Sequence, residues 1–596
     1  MFRGFRWQLG ALILAAIIFA VSLAIRSAEQ PGVIEPTPIP ATTAPTQETV
    51  VVPSVEPALT PQPTRTPVTQ DGIPTYREAL IGSVSRLNPL FAAINPAERD
   101  ITSLIFEGLT RTNAYGEPVA ALAENWVISS DGLEYVITLR SDVRWQDGTP
   151  FSAADVIYTM SLLRAPDFPG SEELRTFWST VETEQLSDRI IRFRLTQPLG
   201  TFLDKLRIGI LPEHALRGTT AAQLASHPFN LTPIGTGPYQ LEAIRTGSDG
   251  QIAQVDLRVA PVYRERRDGQ APYLLERMRF AIYDTFEAAL TALQNAEVDG
   301  LAARNVYERR PLFNLANTAD LLVNNQLENT LGAVIFNWQS ETLPYFREQR
   351  IRVALETGID RTSIVERRLA NTALEADSPL MPGSWAYLAD LPWPAYNTAL
   401  ARSLLTQGLD RVGRLEPTPE PEESAETTGT PAEFSFTILV PDDPSLINVA
   451  EEIATQWSQL NLEIRVESVS AAAFAERLDR GTFDVAIVEY ALGESADPDV
   501  YAFWHQGQYP DGRNYGGVDD RRISELLERA RRDAYGINRA QDYHEFQRVF
   551  VERAIALPLY YPLYTYVTSA RVSGVQLGFI GSPSDRFRNI GEWRVN

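Results

Sequence analysis

The hydrophobic rhythm of the chain changes several times along its length. Residues 9–25, LGALILAAIIFAVSLAI, are apolar almost without a break and are flanked by Arg3, Arg6 and Arg26. Residues 31–74 are rich in Pro and Thr and show no apolar period. Such a stretch cannot bury a core, and its prolines bias it toward extended polyproline II. From about residue 75 regular periods begin. LEYVITLR (133–140) alternates as a half-buried strand does, and SDVRWQDGTP (141–150) predicts a turn at Asp147-Gly148. FSAADVIYTMSLL (151–163) reads as a helix in which Ser152 and Asp155 form a capping box. TFEAALTALQNAEVDG (285–300) is a second helix. The segment from Arg521 to Pro562 predicts two more helices, the last of them stopped by Pro558. FSFTILV (434–440) and VAIVEYA (485–491) read as strands. Interleaved strands and helices of this kind predict an α/β or mixed α+β body.

A second polar stretch, EPTPEPEESAETTGTPAE (416–433), is acidic and rich in Pro and Thr. It lies between a helical pattern and a strand, and it is expected to be a disordered acidic insertion at the surface, not a domain boundary. The first thirty residues are either a secretory signal or an uncleaved N-terminal membrane anchor. Basic residues ahead of the apolar run keep the N-terminus inside and send the remainder out, and Ser22-Leu23-Ala24 resembles a cleavage pattern. The run reaches the lower end of the roughly 17–25 residues a bilayer requires. An extracytoplasmic body, anchored at the cell membrane and held off it by residues 31–74, is the expectation.

At 596 residues the chain is long enough for two or three domains. Its apolar fraction of 44% and charged fraction of 22% are those of a globular protein. A net charge of −23 argues against nucleic acid as a partner. The chain has no Cys, so disulfides, thiolate metal sites, Cys nucleophiles and a lipidated Cys are excluded. Lys205 is the only lysine, and no Gly-Lys phosphate loop exists. The four His residues have no metal-ligand spacing, and no GxSxG elbow is present. No catalytic residue, metal or cofactor is assigned.

One segment carries concentrated chemistry. VAIVEYALGESADPDVYAFW (485–504) runs from an apolar strand into Glu494, Asp497 and Asp499. Three acids there suit a metal site, a pair of catalytic carboxylates or a clamp for a cationic ligand. Only His505 stands near them as a further metal ligand, and no calcium-loop pattern surrounds them. Asp497-Pro498 also suits a loop, and Asp499 a cap for the segment that follows.

The order of segments resembles the extracellular solute-binding proteins of ABC importers, in the family that takes oligopeptides, dipeptides and nickel. The matching pieces run from LNPLFA (87–92) through the long stretch LIFEGLTRTNAYGEPVAALAENWV to DGTPFSAADVIYT (104–159). PIGTGPYQL (233–241), IFNWQSETLPYFREQRIRVALETGIDR (335–361), YNTALARSLL (396–405) and ALGESADPD (491–499) follow in the family's order. The resemblance implies a two-lobed, periplasmic-binding-protein-like body (type II, of the large oligopeptide-binding class) with a hinge. Lobe I would be discontinuous, residues 75–335 plus 570–596, and lobe II would span 336–569. A ligand is expected in the cleft, buried as the lobes close.

In peptide-binding members an acid shortly before the Asp-Pro pair receives the ligand's ammonium, which implies that role for Glu494. Backbone groups of Tyr490, Ala491, Leu492 and Gly493 would pair with an extended peptide. Trp338, Trp385 and Trp504 are the candidate cleft aromatics. The sequence departs from the family where Glu stands for Asp and where Ala491 stands for a common Trp. The resemblance further implies a monomeric, non-enzymatic receptor for short peptides or a cationic or zwitterionic solute, delivering to separate ABC permease subunits. An extracellular hydrolase using cleft carboxylates, and a receptor that signals by closure to a membrane partner, are the alternatives.

Overall fold

One strand, Leu557–Ser569, runs for 13 residues through the middle of the molecule, more than twice the usual strand length. In this computed structural model, residues 72–264, 273–415, 435–532 and 537–595 are described. The apolar run 9–25, nearly all of the Pro/Thr-rich stretch and the acidic insertion 416–433 lie outside those residues. Among the described residues no helix is long and apolar enough to cross a membrane.

The long strand belongs to a 12-stranded mixed sheet. Its first half pairs antiparallel with Thr330–Phe336 and Ala373–Glu375. Its second half pairs with Leu321–Leu327 and Gly300–Ala302. Beyond the first group the sheet continues through Val485–Ala491, Ser435–Pro441 and Glu463–Val469. Beyond the second it continues through Thr75–Ile81, Arg277–Tyr283, Ile252–Val259 and Tyr239–Thr246. A four-stranded antiparallel sheet, whose strands lie between Ala123 and Arg194, stands separately.

Two large apolar cores follow this division. One gathers residues from Leu331 to Tyr561, around Trp457, Trp504 and Phe550. The other joins residues from Tyr76 to Phe280 with Tyr564 to Trp593, so this core draws on two separate stretches of sequence. The cores change hands near Leu327–Leu331 and between Tyr561 and Tyr564. The strand Leu557–Ser569 contributes residues to both cores. The two stretches of the second core are tied by buried charge. Arg586 Nε donates to Glu78 Oε1 at 2.9 Å and its Nη2 to Asp100 Oδ2 at 2.7 Å, while Tyr76 and Tyr566 hydroxyls both reach Glu78. Each buried ion in this group has a partner of opposite charge or a hydrogen bond, the condition under which burial of charge is tolerated.

Local structure follows the sequence signals in several places. Helix Ala153–Arg164 begins with the Ser152–Asp155 capping box, and helix Phe286–Gln294 is capped by Thr285. Gly148 sits at the Asp147-Gly148 turn with a φ of 92°. The last helix ends at Glu552, not at Pro558. That proline lies inside the long strand, opposite Ala333 and beside a register shift in the ladder. The glycines of GTGPY serve close approach instead of tight turning. A Cβ on Gly235 would lie 1.8 Å from the Ile105 carbonyl oxygen, and one on Gly237 would lie 2.5 Å from that of Leu104.

Candidate functional site

The loop after strand Val485–Ala491 runs along the seam between the two cores, and the three acids it carries meet three different arginines. Asp497 accepts from Arg539 Nη1 at 2.7 Å and Nη2 at 2.8 Å, a bidentate pair of the strongest ordinary kind. Asp499 is held by Arg531 Nε at 2.7 Å and also accepts from the Tyr501 backbone N–H. Glu494 meets Arg207 from the other lobe. Arg207 Nη1 donates to the Glu494 carbonyl oxygen at 2.5 Å, while the carboxylate stands 3.7 Å away and its side chain is 64% exposed. No pair of these acids is left to share a metal or a proton.

Around this loop a cavity of about 200 Å³ opens between the lobes. Lobe I supplies Ala114, Tyr115 and Phe579. Gln326, Leu327 and Asn329 come from the first chain crossing. Lobe II supplies Leu380–Ser384, Leu492, Ala496–Pro498 and Val500. The volume is below the roughly 300–1,000 Å³ of drug-sized sites. Its floor is fixed from both sides. Asn329 Nδ2 donates to the carbonyls of Gly493 and Ser495 at 2.8 and 3.1 Å, and Ser384 Oγ donates to that of Ala496 at 3.1 Å.

Several contacts cross the seam. The Ala496 N–H donates to the Gly116 carbonyl at 2.9 Å. Ser495 Oγ donates to Asp204 Oδ2 at 2.7 Å. Arg513 pairs with Glu173 at 2.9 Å. Gly116 has a φ of 82°, and a Cβ there would lie 2.6 Å from the Phe579 ring and 2.8 Å from Ala496 Cβ. Glycine is therefore required where the turn of lobe I presses on the loop of lobe II.

The residues expected from sequence are distributed unevenly about this cavity. Leu492 lines it. Glu494 is absent from the lining; its carbonyl accepts from Arg207, and its carboxylate is largely exposed. On the preceding strand, Ala491 pairs with Thr330 and is exposed, and Gly493 is exposed with a φ of 135°. The ladder of this strand with Ser435–Pro441 is confined to Val485 and Ala486, so only one side of Tyr490–Ala491 is occupied by a neighbouring strand. Tyr490 and Trp504 point into the lobe II core, 4% and 2% exposed, with their rings 5.3 Å apart. Alternation along the strand decides this for Tyr490, which shares its face with apolar Val488. Trp338 is buried in the same core beneath Arg352, whose guanidinium lies 3.8 Å from its ring and donates to the Phe346, Arg553 and Ala554 carbonyls. Desolvation lowers the pKa of Arg352 to about 9. Trp385 follows the lining residue Ser384, is 41% exposed, and covers Arg539 at 5.1 Å.

Sequence reading missed Tyr115, Asn329, Phe579, Arg207, Asp204 and Arg539. Only the turn signals in NAYGEP (113–118) and MPGS (381–384) hinted at their surroundings. Arg539 lies 42 residues beyond the loop residue Asp497, on the helix Ile537–Glu552, and nothing in the local pattern links the two.

A family model for the bacterial extracellular solute-binding proteins, family 5, matches residues 117–511. The oligopeptide-binding protein AppA of Bacillus subtilis is 25% identical over 81% of this chain and 85% of its own length. The solved structure of HbpA2 from Haemophilus parasuis superimposes with a TM-score of 0.72 at 19% identity, covering 88% of this chain and all of that one. NikZ from Campylobacter jejuni, solved in complex with Ni(L-His), gives 0.66 at 24% identity over 87% of this chain and 99% of that one.

Proposed function

This chain belongs to the bacterial extracellular solute-binding proteins of family 5, and from that premise we propose that it captures one compact solute, of the size of a short peptide, for an ABC importer. The family binds solutes and is not a family of enzymes. The observation that carries the reading is a single arrangement: the cavity of about 200 Å³ has walls from both lobes, and the rim contacts at Gly116–Ala496 and Asp204–Ser495 join those lobes. A solute that touches both walls stabilises the closed form over the open one by its differential contacts. Closure is a rotation about the crossings at Leu327–Leu331 and Tyr561–Tyr564. Relatives are described as binding oligopeptides, dipeptides and di- or tripeptides, which supports a ligand of peptide class.

The body works outside the cytoplasm as a monomer and hands its solute to separate permease subunits. Residues 9–25 hold it at the membrane, and 31–74 act as the stalk. The basic flanks of the apolar run and the Pro/Thr composition of the stretch that follows support this placement.

The test is to denature purified full-length protein, identify any solute it releases by mass spectrometry, and titrate that solute back while following compaction by small-angle scattering. Compaction on binding is expected. Release of no solute, with no compaction across a panel of short peptides, defeats the reading.

A further inference from the structure

The charges beside the cavity are already matched. Among its lining residues Asp497 is the only acid, and none is Lys, Arg or His. Both Asp497 oxygens accept from Arg539, and the two side chains are 12% and 6% exposed. Arg539 Nε donates to the Ala530 carbonyl at 2.8 Å. Trp385 covers the guanidinium at 5.1 Å, and the Gly200 main chain of lobe I presses on it so closely that a Cβ would lie 2.8 Å from Cζ. A largely buried ion pair in which both carboxylate oxygens are matched has no unbalanced charge to offer a solute. Most of the remaining wall is apolar, with Leu327, Leu380, Met381, Leu492, Val500 and Phe579, while the side chains of Asn329 and Ser384 are spent on the Gly493, Ser495 and Ala496 carbonyls. A polar edge remains at Gln326, whose side-chain N–H₂ has no hydrogen-bond partner among the described residues.

We propose that the solute captured here is uncharged: a compact, mainly apolar molecule with an amide-like hydrogen-bonding edge that meets Gln326. The inference rests on the reading of the chain as a solute-binding protein and narrows its ligand class. An ammonium or carboxylate entering this space loses its water and finds no counter-charge, which is the costly case of burial. An uncharged amide loses less and recovers it through one or two hydrogen bonds. Size points the same way. An apolar cavity of about 150 Å³ takes a benzene molecule, so this one suits a molecule only modestly larger.

A matched pair of probes isolates the charge. The cyclic dipeptide of Gly and Val and the linear dipeptide Gly-Val share their side chains, and they differ by the linear form's ammonium and carboxylate. Calorimetric titration of the full-length protein at pH 7 is expected to show the cyclic form binding at least tenfold more tightly. Equal or tighter binding of the linear form overturns the proposal, and so does binding of neither. The wider reading is tested separately: a charged solute released from denatured protein would overturn the neutral assignment while leaving solute capture intact.

Discussion

Ser495 Oγ donates a 2.7 Å hydrogen bond to Asp204 Oδ2, joining the loop after strand Val485–Ala491 to the short helix Phe202–Lys205 of the other lobe. The contact encloses the carboxylate. Its Oδ1 is buried without a partner among the described residues. Burial pushes the Asp204 carboxyl up to about 6, with the Asp497 charge adding to the rise, while the Ser495 hydrogen bond, Arg207 and Lys205 oppose it.

That enclosure makes closure sensitive to protons. A carboxyl whose pKa is higher in the closed form takes up a proton on closing, so acid favours closure. Above about pH 6 the ionised Asp204 opposes closure, and the opposition is relieved as pH falls toward its ordinary value of 3.8. Affinity for an uncharged solute should rise by up to about tenfold between pH 7.5 and 5. Asp204→Asn should flatten the profile. Calorimetry across that range decides; an affinity that weakens with acid contradicts the assignment.

Gly116 sets how closely the lobes meet. Gly116→Ala places a Cβ against Phe579 and Ala496 and forces a side chain into a positive-φ backbone. Solute affinity should fall at least tenfold, and scattering should show a persistently open form. Both readouts unchanged would mean that this turn does not set the closed distance.

Glu494→Gln tests the role the family resemblance implied. The Arg207 contact is made mainly to the Glu494 carbonyl, and the carboxylate is largely in water. Exposed ion pairs contribute about 0–1 kcal/mol, so binding should change by no more than that. A loss of several kcal/mol would return Glu494 to the ligand.

Arg586→Met should destabilise lobe I. The guanidinium is buried and answers both Glu78 and Asp100, and its removal leaves two buried carboxylates with no cation beside them. A loss of about 3–5 kcal/mol in chemical denaturation is expected. Because the pair spans the first strand and the C-terminal segment, a lobe II probe such as Trp457 should report a separate, less affected transition.

Much of the fold was legible because its signals are local. The Ser152–Asp155 capping box, the helical pattern beginning at 285 and the apolar run of 485–491 each depend on residues a few positions apart, and each forms as its pattern implies. Where a pattern was ambiguous, neighbours decided. Pro558 reads as a helix stop, yet it lies within the strand that serves both lobes. The aromatic residues were harder still. Composition marks Trp338, Trp385 and Trp504 as equals, but packing buries two of them in the lobe II core and leaves Trp385 over Arg539.

By itself the sequence determined the layered α/β class, the family, and the segment that borders the site, since motif order and short-range periodicity survive without coordinates. Only the tertiary structure decided which charges are free. Asp497 lies 42 residues from Arg539, and Glu494 lies 287 from Arg207. An acid's availability depends on what folding sets within a few ångströms of it, and electrostatic pairing at that range leaves no trace in local spacing.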